Sequence, residues 1–568
     1  MHLLSAQAGA IQQEGEAIDL KQRPGALIFA SSADSELAML AGAADRAGEG
    51  ELRLANTLRL SNNLSVDLWL EQTVTHARLV VLRLIGGAAY FQYGVDELTA
   101  LCANRKIPLA LLPGDANPDP ILQSRSTIHP DDWNRLHGLF VAGGPDNADT
   151  ILRAFNALSS PLPSGERSAA QPPGEGALLV DLVPQPFARF GLWHPTTGMT
   201  DEAGLRAIHR PGAAHVPILF YRAALEGAGT ATIEALIAEL EAQGLAPVPL
   251  LVSSLKEAPC IRFVQQALTA FPPVAVFNLT GFALGIDGLD DKSNPFSTSD
   301  APVIQLIQSG RSEAQWRADS QGLSSKDMAM FLVMPEVDGR LGGLIVGHKA
   351  DAVWHDRCQV PLTAYTPDAP GITRAVSLAA NWSRLRSTPS ADRRIAIVLA
   401  NYPIRDGRLA NGVGYDAPQS TVEMLRALEG AGYALSPRPS GERSAAQPPG
   451  EGALPDSSAD LIAFLQSGPT NANPQRGTTP ATLTLARYAT LFAALPAPIR
   501  DAVTARWGHP ATDPFVRGDA FHLPALIFGN VAILLQPARG YQLDETTTYH
   551  DPALVPPHAY LAAYLWLR

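Results

Sequence analysis

Cysteine is almost absent from this chain, with only Cys102, Cys260 and Cys358 in 568 residues. Three thiols so far apart form neither a disulfide framework nor a zinc-type pair, which sets a reducing, cytoplasmic setting as the expectation. Lysine is nearly as scarce, at six positions against 37 arginines. Charged residues reach only 17% and the net charge is −12. A disordered polyampholyte and a coiled coil are thereby excluded, and no nucleic-acid partner is expected, because phosphate-backbone binding needs a basic field. No run approaches ~18 uninterrupted apolar residues, so no membrane span is expected. The first residues, Met1 to Gln7, lack the basic flank and apolar core of a signal peptide. The phosphate-binding pattern G-x-x-x-x-G-K-[ST] is also missing. If ATP is used, this chain is not expected to hydrolyse it.

What is present is ample length, 46% hydrophobic residues, and a near-exact internal duplication. Residues 160–178 and 436–454 match at 18 of 19 positions, and their flanks show no similarity. A repeat architecture would show diverged copies at a period of 20–50 residues. Two nearly identical Gly-, Pro-, Ser- and Glu-rich copies read instead as recent insertions into surface loops. Such loops tolerate length because closure entropy grows only logarithmically with it. Both segments are predicted to be irregular and exposed.

Apart from these copies, apolar strands alternate with helical stretches. Strands are predicted at Leu27–Ser31, Leu79–Leu84, Leu109–Leu112 and Leu139–Ala142. The pattern restarts at Pro217–Tyr221, with further strands at Val248–Val252, Ala275–Leu279, Val303–Gln308 and Met330–Val333. It restarts again at Ile395–Ala400, before a helix from about Ser420 to Glu429. Fully apolar strands between helices indicate parallel sheets covered on both faces. The expected fold is a multidomain α/β chain of successive Rossmann- or flavodoxin-like units. Its expected domains are 1–190, 191–385 and 386–568, the last incomplete at its C-terminus.

Two constellations offer chemistry on composition alone. His348, His355 and Cys358 are metal-ligand types close in sequence, although such residues are more often packing groups. Four of the thirteen histidines, His509, His522, His550 and His558, fall in the last 60 residues. Imidazole serves both metal binding and proton transfer near neutral pH, but chance clustering in loops carries equal weight. Gly412-Val413-Gly414 follows a strand and precedes a helix, without the third glycine of a dinucleotide fingerprint.

The longest pattern begins at Asn401-Tyr402-Pro403 and continues through Gly407, Asn411, Gly414, Asp416, Pro418 and Ser420. It resembles the signature N-Y-P-x-x-x-G-x-x-x-N-x-x-G-x-D-x-P-x-S of the large subunits of ATP-dependent metal chelatases, the CobN/magnesium chelatase H-subunit family. Phe220-Tyr221-Arg222, Ser253-Ser254-Leu255, Leu279-Thr280-Gly281-Phe282 and Pro335–Arg340 are similar to further family segments. Segments resembling the CobN branch are the opening residues through Leu20, Ser32–Leu37, Phe528–Val531, Gln536–Tyr541, Tyr549–Pro552 and Pro556–His558.

The resemblance implies a tetrapyrrole- and metal-binding subunit of cobaltochelatase. That enzyme inserts Co²⁺, as substrate metal, into the corrin precursor hydrogenobyrinic acid a,c-diamide on the aerobic route to cobalamin. Partners resembling the AAA+ ATPase CobS and the subunit CobT would use ATP and Mg²⁺. Insertion needs a base for the ring N–H protons, loosely held metal ligands, and donors gripping the ring periphery. The candidates are Asn401, Tyr402, Asn411, Asn530 and Arg539 for the ring, and His550 and His558 for the metal. Loop fixation is the plain alternative for the asparagines, and a carboxylate pairing for Arg539. No catalytic residue is assigned within the chain. The family segment H-x-G-K-H-G-x-x-E is expected beyond Arg568, so the isolated chain is expected to be inactive. Two other readings are a magnesium chelatase H-type subunit acting on protoporphyrin and a non-catalytic binding fragment.

Overall fold

The computed structural model describes residues 17–160, 177–227, 229–281, 283–284, 292–402, 404–412, 414–435, 454–541 and 553–568. Residues 161–176 and 436–453, the bulk of the duplicated segments, lie outside the described residues. The chain divides into two compact units, Met1–Ser383 and Arg384–Arg568. Its sheets are largely parallel and interleaved with helices, the α/β architecture expected from the strand pattern.

The first unit contains two main sheets. One has four parallel strands in the order Leu52–Asn56, Leu27–Ser31, Leu79–Leu84, Leu109–Pro113. Leu27–Ser31, Leu79–Leu84 and Leu109–Pro113 are buried along their whole length, and both faces are occupied. Phe29 stacks on Phe140 at 5.4 Å on one face, while Ile28, Val80 and Leu82 pack with Trp69, Val95 and Leu98 on the other. The apolar run Leu139–Ala142, predicted as a strand, is instead the last turn of the helix Pro130–Ala142. Trp133, Leu136 and Phe140 recur at helical spacing on its buried face, and the His129 ring caps its N-terminus by accepting from the Asp131 N–H at 3.2 Å. Gly143, at φ +66°, ends it in a conformation that favours glycine. Four apolar residues alone cannot separate a strand from a buried helical turn.

The other sheet has eight strands. Its order is Tyr365–Pro367, Leu341–Lys349, Val303–Ser309, Val276–Asn278, His215–Tyr221, Ala246–Val252, Phe190–His194, Gly198–Thr200. The five from Leu341–Lys349 to Ala246–Val252 are mutually parallel, and antiparallel strands close both edges. Met330–Val333, the second run predicted as a strand, lies in a π-helical turn, Ala329–Val333, between the short helices Ser325–Met328 and Met334–Val337. Pro335 explains the wide turn. It has no N–H to donate, and its ring pushes away the carbonyl four residues earlier.

In the second unit Ile395–Leu399 pairs in parallel with Val531–Leu535, which pairs antiparallel with Ala525–Phe528. Helices Ala417–Gly430 and Ser458–Ser467 cover one face through Val422, Leu425, Leu461 and Leu465. On the other face, Ala525 and Leu534 pack into a core with Tyr488, Phe521 and the helix His558–Leu567.

Candidate functional site

In open α/β sheets, ligands lodge outside the carboxyl ends of the strands, where the strand order reverses. In the eight-stranded sheet this point lies between His215–Tyr221 and Val276–Asn278, because later strands add on opposite sides of His215–Tyr221. Three of the segments that resemble the chelatases meet here, and a buried polar network joins them. The Thr280 carbonyl accepts from Asn278 Nδ2 at 3.0 Å, Gln305 Nε2 at 2.9 Å and Arg340 Nη1 at 3.4 Å. Asn278 Nδ2 also donates to Gln305 Oε1 at 2.8 Å. Arg340 Nη2 pairs with Asp338 Oδ2 at 3.1 Å, and both side chains are 1% exposed. The same Asp338 oxygen accepts from the Leu284 N–H at 2.8 Å. Burial lowers the Arg340 guanidinium and raises the Tyr221 phenol, whose hydroxyl donates to the Gly281 carbonyl at 3.4 Å. The network's donors go to the Thr280 carbonyl and to its own members Gln305 and Asp338, so its effect is to fix the loop at the switch point.

The four-stranded sheet has a similar device. Arg83 donates to Glu36 and to the carbonyls of Pro113 and Gly114 at 3.1 and 3.2 Å, and Ser31 Oγ donates to Glu36 Oε2 at 2.7 Å. Burial pulls the Arg83 guanidinium down to about 10.

In the second unit the chelatase-like signature occupies the carboxyl end of Ile395–Leu399. Asn401 is 4% exposed there, whereas the neighbouring Tyr402 is 44% exposed. Asn411 and Gly412 form a short antiparallel ladder with Asp416 and Tyr415. Asp416 then caps the helix Ala417–Gly430, its carboxylate accepting from the Gln419 N–H at 3.0 Å. Ala410 is buried at φ +54°. That conformation costs a non-glycine residue about 1–3 kcal/mol and persists only where the surroundings impose it.

Residues that the sequence did not single out hold the start of this loop. Asn471 Nδ2 donates both to Asn401 Oδ1 at 2.6 Å and to the Gln536 carbonyl at 2.8 Å, and the Ala538 N–H reaches Asn471 Oδ1 at 3.4 Å. Asn471 therefore ties the signature loop to the Gln536–Tyr541 segment. The Asp406 carboxylate accepts from Thr470 Oγ1 at 2.7 Å and Asn473 Nδ2 at 2.6 Å, and pairs with Arg476 at 2.6 Å. The available signal was the polar run Thr470-Asn471-Ala472-Asn473, which has the composition of a loop that binds backbone.

The remaining candidates divide. Arg539 follows Ala538 directly and donates to the Leu554 carbonyl at 3.3 Å, so it stays near the signature loop. Asn530 lies at the opposite end of the parallel strand pair, in the turn preceding Val531–Leu535. There its side chain donates to the Ala391 carbonyl at 2.9 Å and its backbone N–H to the Ala434 carbonyl at 2.7 Å. The adjacent Gly529 sits at φ +55°, and a Cβ on it would come within 2.4 Å of the Ala434 carbonyl. Five residues of strand, about 17 Å, separate that turn from Asn401.

His558 does not serve as a metal ligand in this arrangement. It is 1% exposed, with Nε2 donating to the Gly508 carbonyl at 3.0 Å and Nδ1 accepting from the Tyr488 hydroxyl at 2.8 Å. Gly508 offers only an acceptor, so Nε2 carries the proton and both ring nitrogens are engaged. Replacing His558 with Phe is expected to cost about 1–3 kcal/mol, because two buried groups lose their partner. Urea unfolding measures that loss, and a Co²⁺ titration is expected to be unchanged.

His550 lies outside the described residues. The ligand-type residues near Cys358 do not converge either. His355 Nε2 pairs with Asp45 at 3.1 Å, burial pushes the Cys358 thiol up to about 12, and His348 packs against Trp316. Among the described residues no group of three or more His, Cys, Asp or Glu is arranged to hold a metal.

Comparison with known proteins agrees with the signature. Residues 139–568 match the family described as CobN/Magnesium Chelatase. The chain belongs to that family. It is 40% identical to the aerobic cobaltochelatase subunit CobN of a Sinorhizobium species, over 100% of this chain and 43% of that protein. Against the H-type subunit of magnesium chelatase from Rhodobacter capsulatus the identity is 26%, over 68% of this chain and 32% of the relative. A solved structure, the catalytic subunit of cobaltochelatase from Mycobacterium tuberculosis, superposes with a TM-score of 0.62 at 27% identity. The match covers 96% of this chain and 41% of that one. The chain thus spans less than half the length of the CobN/magnesium chelatase proteins that it matches. No helix among the described residues is long and apolar enough to cross a membrane.

Proposed function

We propose that the chain forms the ring-holding N-terminal portion of a cobaltochelatase large subunit, which works in the cytoplasm on the aerobic route to cobalamin. Its substrates are hydrogenobyrinic acid a,c-diamide and Co²⁺. ATP and Mg²⁺ are used by CobS-like and CobT-like partners. The observation that carries this reading is the 40% identity to CobN over the whole chain, against 26% over 68% of it for the magnesium-chelatase relative.

In this reading the face of Tyr402 packs on the macrocycle, and the Asn401 and Asn411 carboxamides offer donors to peripheral amides and carboxylates. Arg539 grips a carboxylate edge, as guanidinium forks do. Deprotonation of the ring nitrogens needs a base, and stripping water from Co²⁺ needs exchangeable ligands. The carboxylates at the signature loop are engaged otherwise, Asp406 with Thr470, Asn473 and Arg476 and Asp416 in capping a helix. That chemistry is assigned to the remainder of a full-length CobN-type polypeptide, and His550 is kept as a metal-ligand candidate from the sequence.

An insertion assay tests the division of labour. Given CobS- and CobT-type partners, ATP, Mg²⁺, Co²⁺ and the corrin, the isolated chain is expected to yield no cobalt corrin above the uncatalysed rate. Cobalt insertion by the isolated chain would refute the assignment of chemistry elsewhere. Magnesium insertion into protoporphyrin would move the chain to the other branch.

A further inference from the structure

Among the described residues the strand Ile395–Leu399 is an edge strand, paired on one side only, with Val531–Leu535. The Ile395 N–H donates to the Asn530 carbonyl and the Leu399 carbonyl accepts from the Gln536 N–H, so the odd-numbered residues face the partner strand. By alternation the N–H and C=O groups of Ala396 and Val398 point to the open edge. Neither residue has a hydrogen-bond partner among the described residues. Their side chains are uncovered as well. Ile395, Ile397 and Leu399 pack against the helices Ala417–Gly430 and Ser458–Ser467, while Ala396 is exposed and Val398 is 42% exposed. The core that covers the opposite face takes in Ala525 and Leu534 and includes no residue of Ile395–Leu399. Parallel strands with one bare apolar face and a free edge are rare in finished folds.

We propose that this edge is the docking site for a parallel strand and a covering helix from the C-terminal portion of a CobN-type polypeptide, the part of its relatives' length that this chain does not match. The inference rests on family membership and not on the choice of ring. A parallel neighbour requires a long crossover connection, which a long additional portion supplies. A second copy of the chain fits less well. Two-fold pairing of identical edges is antiparallel and leaves the Ala396 and Val398 face bare.

Hydrogen exchange at single-amide resolution tests this in two polypeptides. One is the chain itself, and the other is the chain extended by the unmatched portion of the Sinorhizobium CobN. The Ala396 and Val398 amides are expected to exchange at least 100-fold more slowly in the extended chain, with Ile397 slow in both. V398P removes an outward N–H that makes no hydrogen bond among the described residues. In the extended chain it is expected to restore fast exchange at Ala396. If the extended chain does not fold, the aligned residues of the full-length Sinorhizobium protein are read instead, with slow exchange expected. Equally fast exchange in the long and short polypeptides overturns the proposal. So does protection in the chain alone that rises with its concentration, which would make the occupant a second copy.

Discussion

Replacing Arg340 with Met is expected to lower the unfolding free energy of the first unit by about 3–5 kcal/mol. The loss arises from what stays behind. Asp338, whose side chain is 1% exposed, loses the guanidinium and keeps the Leu284 N–H as a donor. The carbonyl of Thr280 and the side chain of Gln305 also lose a donor. R340K is expected to recover little, because an ammonium cannot serve Asp338, Thr280 and Gln305 with the geometry of a planar fork. Combining R340M with D338L removes the stranded charge and is expected to restore at least half of the loss. Urea unfolding with an unchanged m-value measures each step. A loss below about 1 kcal/mol in R340M would place the pair on the surface, where ion pairs contribute little.

The second large effect belongs to ring binding. N471L is expected to weaken the affinity for hydrogenobyrinic acid a,c-diamide by about tenfold or more, equivalent to at least ~1.4 kcal/mol. Asn471 holds the Asn401 carboxamide and the Gln536–Ala538 backbone in one arrangement, and Leu of similar size breaks both ties. N530A, at the far end of the strand pair, is the matched control and is expected to leave the affinity unchanged. Absorbance titration reads both. Equal losses in the two variants would show a general effect of the second unit's stability rather than a positioned loop.

Much of the sheet framework was legible because fully buried parallel strands are continuous apolar runs. Leu27–Ser31, Leu109–Pro113 and Ala246–Val252 are of this kind. Leu52–Asn56 was not legible, because Arg53 interrupts it. Its guanidinium is buried by donating to the carbonyls of Arg23, Pro24, Gly50 and Leu52, which no periodicity reveals. The antiparallel edge strands Gly198–Thr200 and Tyr365–Pro367 are too short and mixed to register as runs. Leu139–Ala142 and Met330–Val333 were apolar runs of four residues whose helical context lay in a cap and in a proline.

The candidate site divided along similar lines. The signature loop was legible by resemblance, including the buried Asn401. Asn471 was hidden because it meets Asn401 across 70 residues of sequence. Of the late histidines, His558 has a plain structural account. His558 is a histidine that a core can bury, since a carbonyl and a tyrosine satisfy its two nitrogens.

The most direct measurement is equilibrium binding of hydrogenobyrinic acid a,c-diamide and of protoporphyrin to the chain, each titrated under the same conditions. Saturable binding of the corrin at least tenfold tighter than that of the porphyrin is the expected result. Preference for protoporphyrin, or no saturable binding of either ring, would contradict the assignment.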